Sequence, residues 1–113
     1  MQFSELKEKV KGVGFVDLRK ETDNYFEGVI LKKETEQLCR TLKKFLGSPL
    51  WPRRWRLRQK LSLRVKEAIK DFGGIMDGQT LYFYNRGHNI VFAMLWPWRD
   101  GVHITIKIIQ KEQ

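Results

Sequence analysis

The fold is decided by the stretch Ile90-Val91-Phe92-Ala93-Met94-Leu95-Trp96, seven consecutive apolar residues. Residues of these types, in a run of this length, favour a strand over a helix. A strand that is apolar at every position is buried on both sides, so something must cover each face of its sheet. We therefore expect residues 90–96 to form a central strand.

Two more strands are predicted on either side of this one along the chain. Residues 102–109 alternate between apolar and polar side chains, which predicts one buried face and one face that meets water. Residues 80–84 are rich in aromatic side chains, and residues 85–89 and 97–101 have turn chemistry. The sequence therefore predicts a C-terminal three-stranded antiparallel meander.

Helical periodicity dominates the middle of the chain. Residues 33–45 place apolar side chains three and four apart, and Gly47 ends that pattern. A second helix is predicted over residues 53–72, with Gly73 and Gly74 as its stop. A short helix after Ser4, and two strands over residues 13–18 and 24–31 that can pair as a hairpin, account for the N-terminal third.

These elements predict a single α+β domain over residues 1–113. Two main helices form one layer against an antiparallel sheet of three to five strands. The chain is long enough to bury a hydrophobic core without disulfide or metal staples. The order of the first two strands within the sheet is left open.

Composition narrows the class of protein. Cys39 is the single cysteine, which excludes an intramolecular disulfide and fits a reducing compartment. The longest uncharged apolar run, residues 89–98, is too short to cross a bilayer, and residues 1–20 contain no apolar signal region. We expect a cytoplasmic protein with no membrane partner.

Positive charge is concentrated in one part of the chain. Residues 37–66 contain ten lysines and arginines and no carboxylate, whereas the rest of the chain has 12 cations and 13 carboxylates. The net charge of +9 therefore originates in this 30-residue window. Such a concentration repels itself and attracts anions, so it is the strongest indication of function.

Within that window, residues 51–60 combine five cations with two tryptophans. Cations neutralise phosphates and release counterions, and flat rings stack on unpaired bases. On a helix, cations three and four residues apart would form a ridge beside the apolar face. The sequence predicts a site for nucleic acid or another polyanion, made by Arg53, Arg54, Arg56, Arg58, Lys60, Arg64, Lys66, Trp51 and Trp55.

A second interpretation gives these residues no nucleic-acid ligand. Charged helix faces are often only solvated, the tryptophans can anchor a loop in the core, and a basic face can contact an acidic protein. Like charges four residues apart weaken a helix slightly, so a merely solvated face would normally mix signs. Both interpretations stay open.

Two tryptophans also occupy the turn after the central strand, which reads Trp96-Pro97-Trp98-Arg99-Asp100-Gly101. Turns are mostly exposed, so these rings either cover an edge of the core or form a partner surface. The members of that surface would be Trp96, Trp98 and Arg99. The other aromatic residues of the sheet are expected to be core rather than a platform for stacking bases.

The chain contains no recognisable catalytic arrangement. It has two histidines, His88 and His103, no nucleophile elbow and no phosphate-binding glycine loop. One cysteine and two distant histidines do not supply zinc ligands at short spacing. We therefore expect no enzyme, no cofactor and no metal. Three hypotheses remain: a module that binds nucleic acid or another polyanion, a protein–protein accessory or homo-oligomer, and a small-molecule or anion pocket between helices and sheet.

Overall fold

The computed structural model describes residues 3–50, 63–72, 78–85 and 87–112. Three α-helices and five β-strands occur in these residues. The helices are α1 (Phe3–Lys11), α2 (Thr35–Leu46) and α3 (Leu63–Ile69), with single 3-10 turns before α2 (Lys32–Glu34) and after α3 (Lys70–Phe72). The strands are β1 (Asp17–Glu21), β2 (Tyr25–Leu31), β3 (Thr80–Asn85), β4 (Asn89–Pro97) and β5 (His103–Glu112).

All five strands join one antiparallel sheet in the order β1-β2-β5-β4-β3. The predicted α+β class with a single antiparallel sheet is confirmed. β5 is the central strand and pairs with both β2 and β4. The hairpin β1–β2 joins the sheet beside β5, so β3, β4 and β5 are part of a five-stranded sheet.

The sheet is covered on both faces, as the unbroken apolar run of β4 requires. Val91 and Leu95 of β4 pack with α1 and α2, whereas Ile90 and Phe92 pack with α3. Successive side chains of a strand point to opposite faces, so α1 and α2 lie on one face and α3 lies on the other. We call these the first face and the second face.

The prediction of one layer containing both main helices is corrected by this arrangement. α2 and α3 lie on opposite faces, and α1 is the helix that shares a layer with α2. α2 ends before Gly47, whose φ of 83° favours glycine. The described part of the second predicted helix is α3 (Leu63–Ile69), while residues 53–62 of that prediction lie outside the described residues. An apolar stripe marks the buried side of a helix but not the sheet face that the helix covers.

The first strand also differs from its predicted range. β1 covers Asp17–Glu21 rather than residues 13–18, and all five of its residues are exposed. Its pairing register with β2 shifts between Leu18 and Lys20, which is a β-bulge. An exposed outer strand needs no apolar alternation, so residues 19–21 looked like a connection in the sequence.

Gly28 of β2 lies against the ring of Phe15, where no side chain fits. A Cβ atom at Gly28 would lie 2.5 Å from Phe15 Cδ2 and 3.1 Å from the carbonyl oxygen of Asp17. We expect Gly28→Ala to lower the free energy of unfolding by about 1–3 kcal/mol, because the ring must leave its edge contact with Phe26. Urea denaturation measures this change. A smaller penalty for the same substitution in a Phe15→Leu background is expected, and an equal penalty would contradict the explanation.

Candidate functional site

The predicted polyanion site lies almost entirely outside the described residues. Arg64 and Lys66 belong to α3, but their side chains are not within the described part. The other members also lie outside it, namely Trp51, Arg53, Arg54, Trp55, Arg56, Arg58 and Lys60. We define the basic segment as residues 53–66. The described residues on either side of it show where the neighbouring chain is attached to the fold.

Both neighbouring ends of the chain are attached to the second face. The backbone N–H of Leu50 donates to the carbonyl oxygen of Leu81 on β3 at 2.7 Å, and Leu50 packs against the second-face cluster. On the other side, Val65 and Ile69 of α3 belong to the same cluster. The two attachment points of residues 51–62 are therefore on one side of the sheet.

The carboxylates that follow the basic segment have other cations as partners. Glu67 Oε2 lies 2.7 Å from Lys70 Nζ, and Asp71 Oδ2 lies 3.8 Å from Lys111 Nζ. The hydrogen bond between Lys70 and Glu67 lowers the pKa of Glu67 and raises the pKa of Lys70. Each of these carboxylates thus has a described partner outside the basic segment.

The cations of α2 are on the other side of the molecule. Arg40 pairs with Glu36 at 3.3 Å, and Lys43 and Lys44 are exposed. α2 covers the first face and α3 the second, so the sheet separates these three cations from α3. Arg40, Lys43 and Lys44 of α2 therefore lie across the sheet from α3.

The two tryptophans near the β4–β5 turn have different environments. Trp96 packs against the second-face cluster, and Lys107 Nζ lies 4.6 Å from its ring centroid. Trp98 is 38% exposed, yet its Nε1 atom donates to Thr105 Oγ1 at 2.8 Å. The guanidinium of Arg19 lies 5.6 Å from the centroid of the Trp98 ring. Trp96 therefore covers the core, and Trp98 stands at the surface in a fixed position.

Hydrogen bonds within the same turn hold the imidazole beside Trp98. Asp100 Oδ1 accepts the backbone N–H groups of Val102 and His103 at 2.8 and 3.0 Å, and Asp100 Oδ2 lies 2.6 Å from His103 Nδ1. These hydrogen bonds lower the pKa of Asp100 to about 2, and the bond from the backbone N–H of Val102 has the largest effect. An ionised carboxylate only accepts hydrogen bonds, so Nδ1 of His103 carries the hydrogen and Nε2 is left for other partners. Arg99, the third residue of the predicted partner surface, is exposed in this turn.

This turn predicts a pH dependence of stability. The pKa of Asp100 is lowered from 3.8 to about 2 on folding, so its contribution is present above the unfolded value and is lost as pH falls through the folded one. We expect Asp100→Asn to be less stable than the unsubstituted protein at neutral pH. The difference should shrink as the pH falls from about 5 to about 2. Urea denaturation across this range measures it, and a difference that stays constant would contradict the assignment.

The turn also borders a surface groove of about 690 Å³ at one end of the sheet. One wall is the 3-10 turn and the start of α2, and the other wall is the β4–β5 turn. The backbone N–H of Lys32 donates to the carbonyl oxygen of Val102 at 2.7 Å, which joins the two walls. The side chains of greatest chemical interest in the lining are Lys32, Lys33, Glu36, Trp98, His103 and Ile104.

Sequence reasoning missed this groove. His103 was expected on a solvated strand face, but its side chain is only 32% exposed and its ring centroid lies 4.8 Å from that of Trp98. A local signal did exist, because Asp100 three residues before His103 is typical of a side-chain-capped turn. The contact between Arg19 and Trp98 had no local signal, since it joins distant parts of the chain.

The other aromatic residues described in the sheet are mostly core. Phe92 is fully buried, and its ring centroid lies 5.7 Å from that of Phe72 and 6.2 Å from that of Phe83. Burial raises the pKa of Tyr82, and its hydrogen bond with Cys39 adds to this effect. Such rings are covered by protein and cannot stack on bases.

No protein-family model, curated protein or solved structure matches this chain. Among the described helices, none has the length and apolar character of a membrane span. In the same residues, His, Cys, Asp and Glu side chains form no group of three or more that could hold a metal ion. Function is therefore inferred from charge and geometry alone.

Proposed function

We propose that this chain binds a polyanion, nucleic acid above all, through the basic segment 53–66. The observation that carries the proposal is the charge of residues 51–62, which include five cations and no carboxylate. Arg64 and Lys66 on α3 add two more cations. A field of this strength attracts phosphates from a distance and is screened by salt.

The two carboxylates that follow the segment support this proposal, because each has an ion-pair partner outside the segment. Glu67 and Asp71 are paired with Lys70 and Lys111, which lie outside the segment. The chain on either side of residues 51–62 is attached to the second face. Both described attachment points therefore lie on the side of the sheet that α3 covers.

The proposed mechanism is electrostatic. Arginine forks contact phosphate oxygens in pairs, and each neutralised phosphate releases condensed counterions. Trp51 and Trp55 would stack on unpaired bases where the ligand is single-stranded. Phosphate contacts carry no sequence information, so we expect affinity to depend on salt far more than on base sequence.

A direct test is fluorescence anisotropy with labelled oligonucleotides of mixed sequence at low salt. Single-stranded DNA, duplex DNA and RNA are titrated separately, and at least one of them is expected to bind. Failure of all three to bind would reject the proposal. Polyglutamate of similar charge serves as a comparison, because equal affinity for it would favour an acidic protein as the partner.

A second candidate function is a protein–protein accessory or homo-oligomer, which would use Trp98 and Arg99 of the predicted partner surface, whereas Trp96 packs against the core. The observation in its favour is that Trp98 and Val102 are 38% and 47% exposed in the same turn. Exposed apolar side chains rimmed by polar residues mark interaction sites. If light scattering shows a monomer at every protein concentration, the homo-oligomer hypothesis is rejected. A cytoplasmic location and the absence of enzymatic activity stay predictions.

A further inference from the structure

We propose that the groove between the 3-10 turn and the β4–β5 turn binds a small organic anion with a flat apolar body. None of the described lining residues belongs to the basic segment, and this proposal does not depend on polyanion binding. Its volume of about 690 Å³ falls within the roughly 300–1,000 Å³ of typical small-molecule sites. An aromatic acid of moderate size therefore fits.

Charge in the lining selects an anion. Lys32 and Lys33 line the groove, and neither has an ion-pair partner among the described carboxylates. Glu36, the carboxylate of the lining, already pairs with Arg40 at 3.3 Å. Two ammonium groups that have no ion-pair partner among the described residues, beside one carboxylate that is paired with Arg40, make the groove complementary to negative charge.

The opposite wall supplies apolar contact and one polar atom. Pro97, Trp98 and Ile104 belong to the lining, and Ile104 is 5% exposed. His103 is held through Nδ1 by Asp100 at 2.6 Å, so its Nε2 atom is the one left for a ligand. A flat apolar body against this wall, with its charged group toward the lysines, satisfies both sides of the groove.

The groove is formed before any ligand arrives. Trp98 is fixed by its hydrogen bond to Thr105 and by contact with Arg19. The two walls are joined by the hydrogen bond between Lys32 and Val102. Binding to a pre-organised site loses little conformational entropy, so a small ligand can bind there with few contacts.

The test is a ¹⁵N–¹H NMR titration of the full chain with 2-naphthoate and, separately, with the uncharged 2-naphthamide. We expect naphthoate to shift the indole N–H of Trp98 and the amides of Lys32, Gly101, His103 and Ile104. We expect naphthamide to bind at least about twofold more weakly, because it forms no ion pair with the lysines.

Substitutions measure how much the two lysines of the groove contribute to naphthoate affinity. Lys32→Gln with Lys33→Gln is expected to weaken naphthoate binding about twofold to thirtyfold, the range for losing two solvent-accessible ion pairs. The matched control is Lys43→Gln with Lys44→Gln on α2, which removes the same charge from exposed positions outside the groove. This control should leave naphthoate affinity unchanged. Amide spectra of both variants show whether the fold is retained.

Several outcomes would overturn this proposal. They are no shift at millimolar naphthoate, shifts centred on residues 53–66, equal binding of acid and amide, and equal losses in the two variants. Oligonucleotide binding is measured on the same proteins, and the Lys32/Lys33 variant is expected to retain it. The two proposals can therefore fail separately.

Discussion

Glutamine at positions 53, 54, 56, 58 and 60 is expected to remove most of the affinity for oligonucleotides. With about five phosphates neutralised on duplex DNA, log affinity falls against log salt with a slope near −4.5. A fourfold rise in salt then weakens binding to the unsubstituted chain about 500-fold. The variant keeps Arg64 and Lys66 of the segment, so its slope should be no steeper than about −1.8. Anisotropy titrations at several salt concentrations measure both slopes. If the two proteins bind equally at about 1 M salt, these slopes make their affinities differ about 3,000-fold near 0.05 M salt.

A matched variant separates the position of the charge from its amount. Five exposed cations of α1, the 3-10 turn and α2 can be changed to glutamine instead, namely Lys9, Lys33, Arg40, Lys43 and Lys44. This also removes five charges from the net charge of +9. We expect the second variant to retain a slope near −4.5. Equal losses in the two variants would mean that net charge alone drives binding and that the basic segment is not a site.

Phe92→Ala is expected to lower the free energy of unfolding by about 3–5 kcal/mol. Phe92 is fully buried in the second-face cluster and contacts Phe72 and Phe83. Alanine leaves a cavity between the sheet and the 3-10 turn that follows α3. A typical domain is stable by about 5–15 kcal/mol, so this change removes a large part of the total.

Chemical denaturation measures this loss, and hydrogen exchange locates it. In Phe92→Ala the amides of α3 should lose more protection than those of α1 and α2, which cover the other face. Tyr84→Ala is the control, because this aromatic residue of β3 is 40% exposed. It should cost less than about 1 kcal/mol. A loss for Phe92→Ala as small as that of the control would show that the second-face cluster is not tightly packed.

The sheet and the longest described helix were predictable from local patterns. The unbroken apolar run of β4 required cover on both faces, and helices do occupy both. The stripe ending at Gly47 matched α2. The face that each helix covers was not predictable, because it depends on where the chain crosses the sheet edge. Leu50 shows such a crossing, since it binds Leu81 on β3 directly after α2 on the first face.

The two candidate sites differ in how far sequence could reveal them. The charge of the basic segment is a property of composition, so no structure was needed to find it. The groove brings together Lys32 after β2, Trp98 after β4 and His103 at the start of β5. These residues meet only because β5 lies between β2 and β4 in the sheet. The position of the first two strands in the sheet could not be predicted from the sequence. The groove, which depends on that position, could therefore not be predicted either.

The outer strands of this sheet carry features that oppose fibril formation. Exposed strand edges act as templates on which other chains add by backbone pairing. β1 is short, is exposed throughout with four charged residues, and has a shifted register between Leu18 and Lys20. On the opposite outer strand, the carbonyl oxygen of Leu81 is already bonded to Leu50. The chain can therefore keep a strand as apolar as β4 inside its sheet without offering a ready starting point for aggregation.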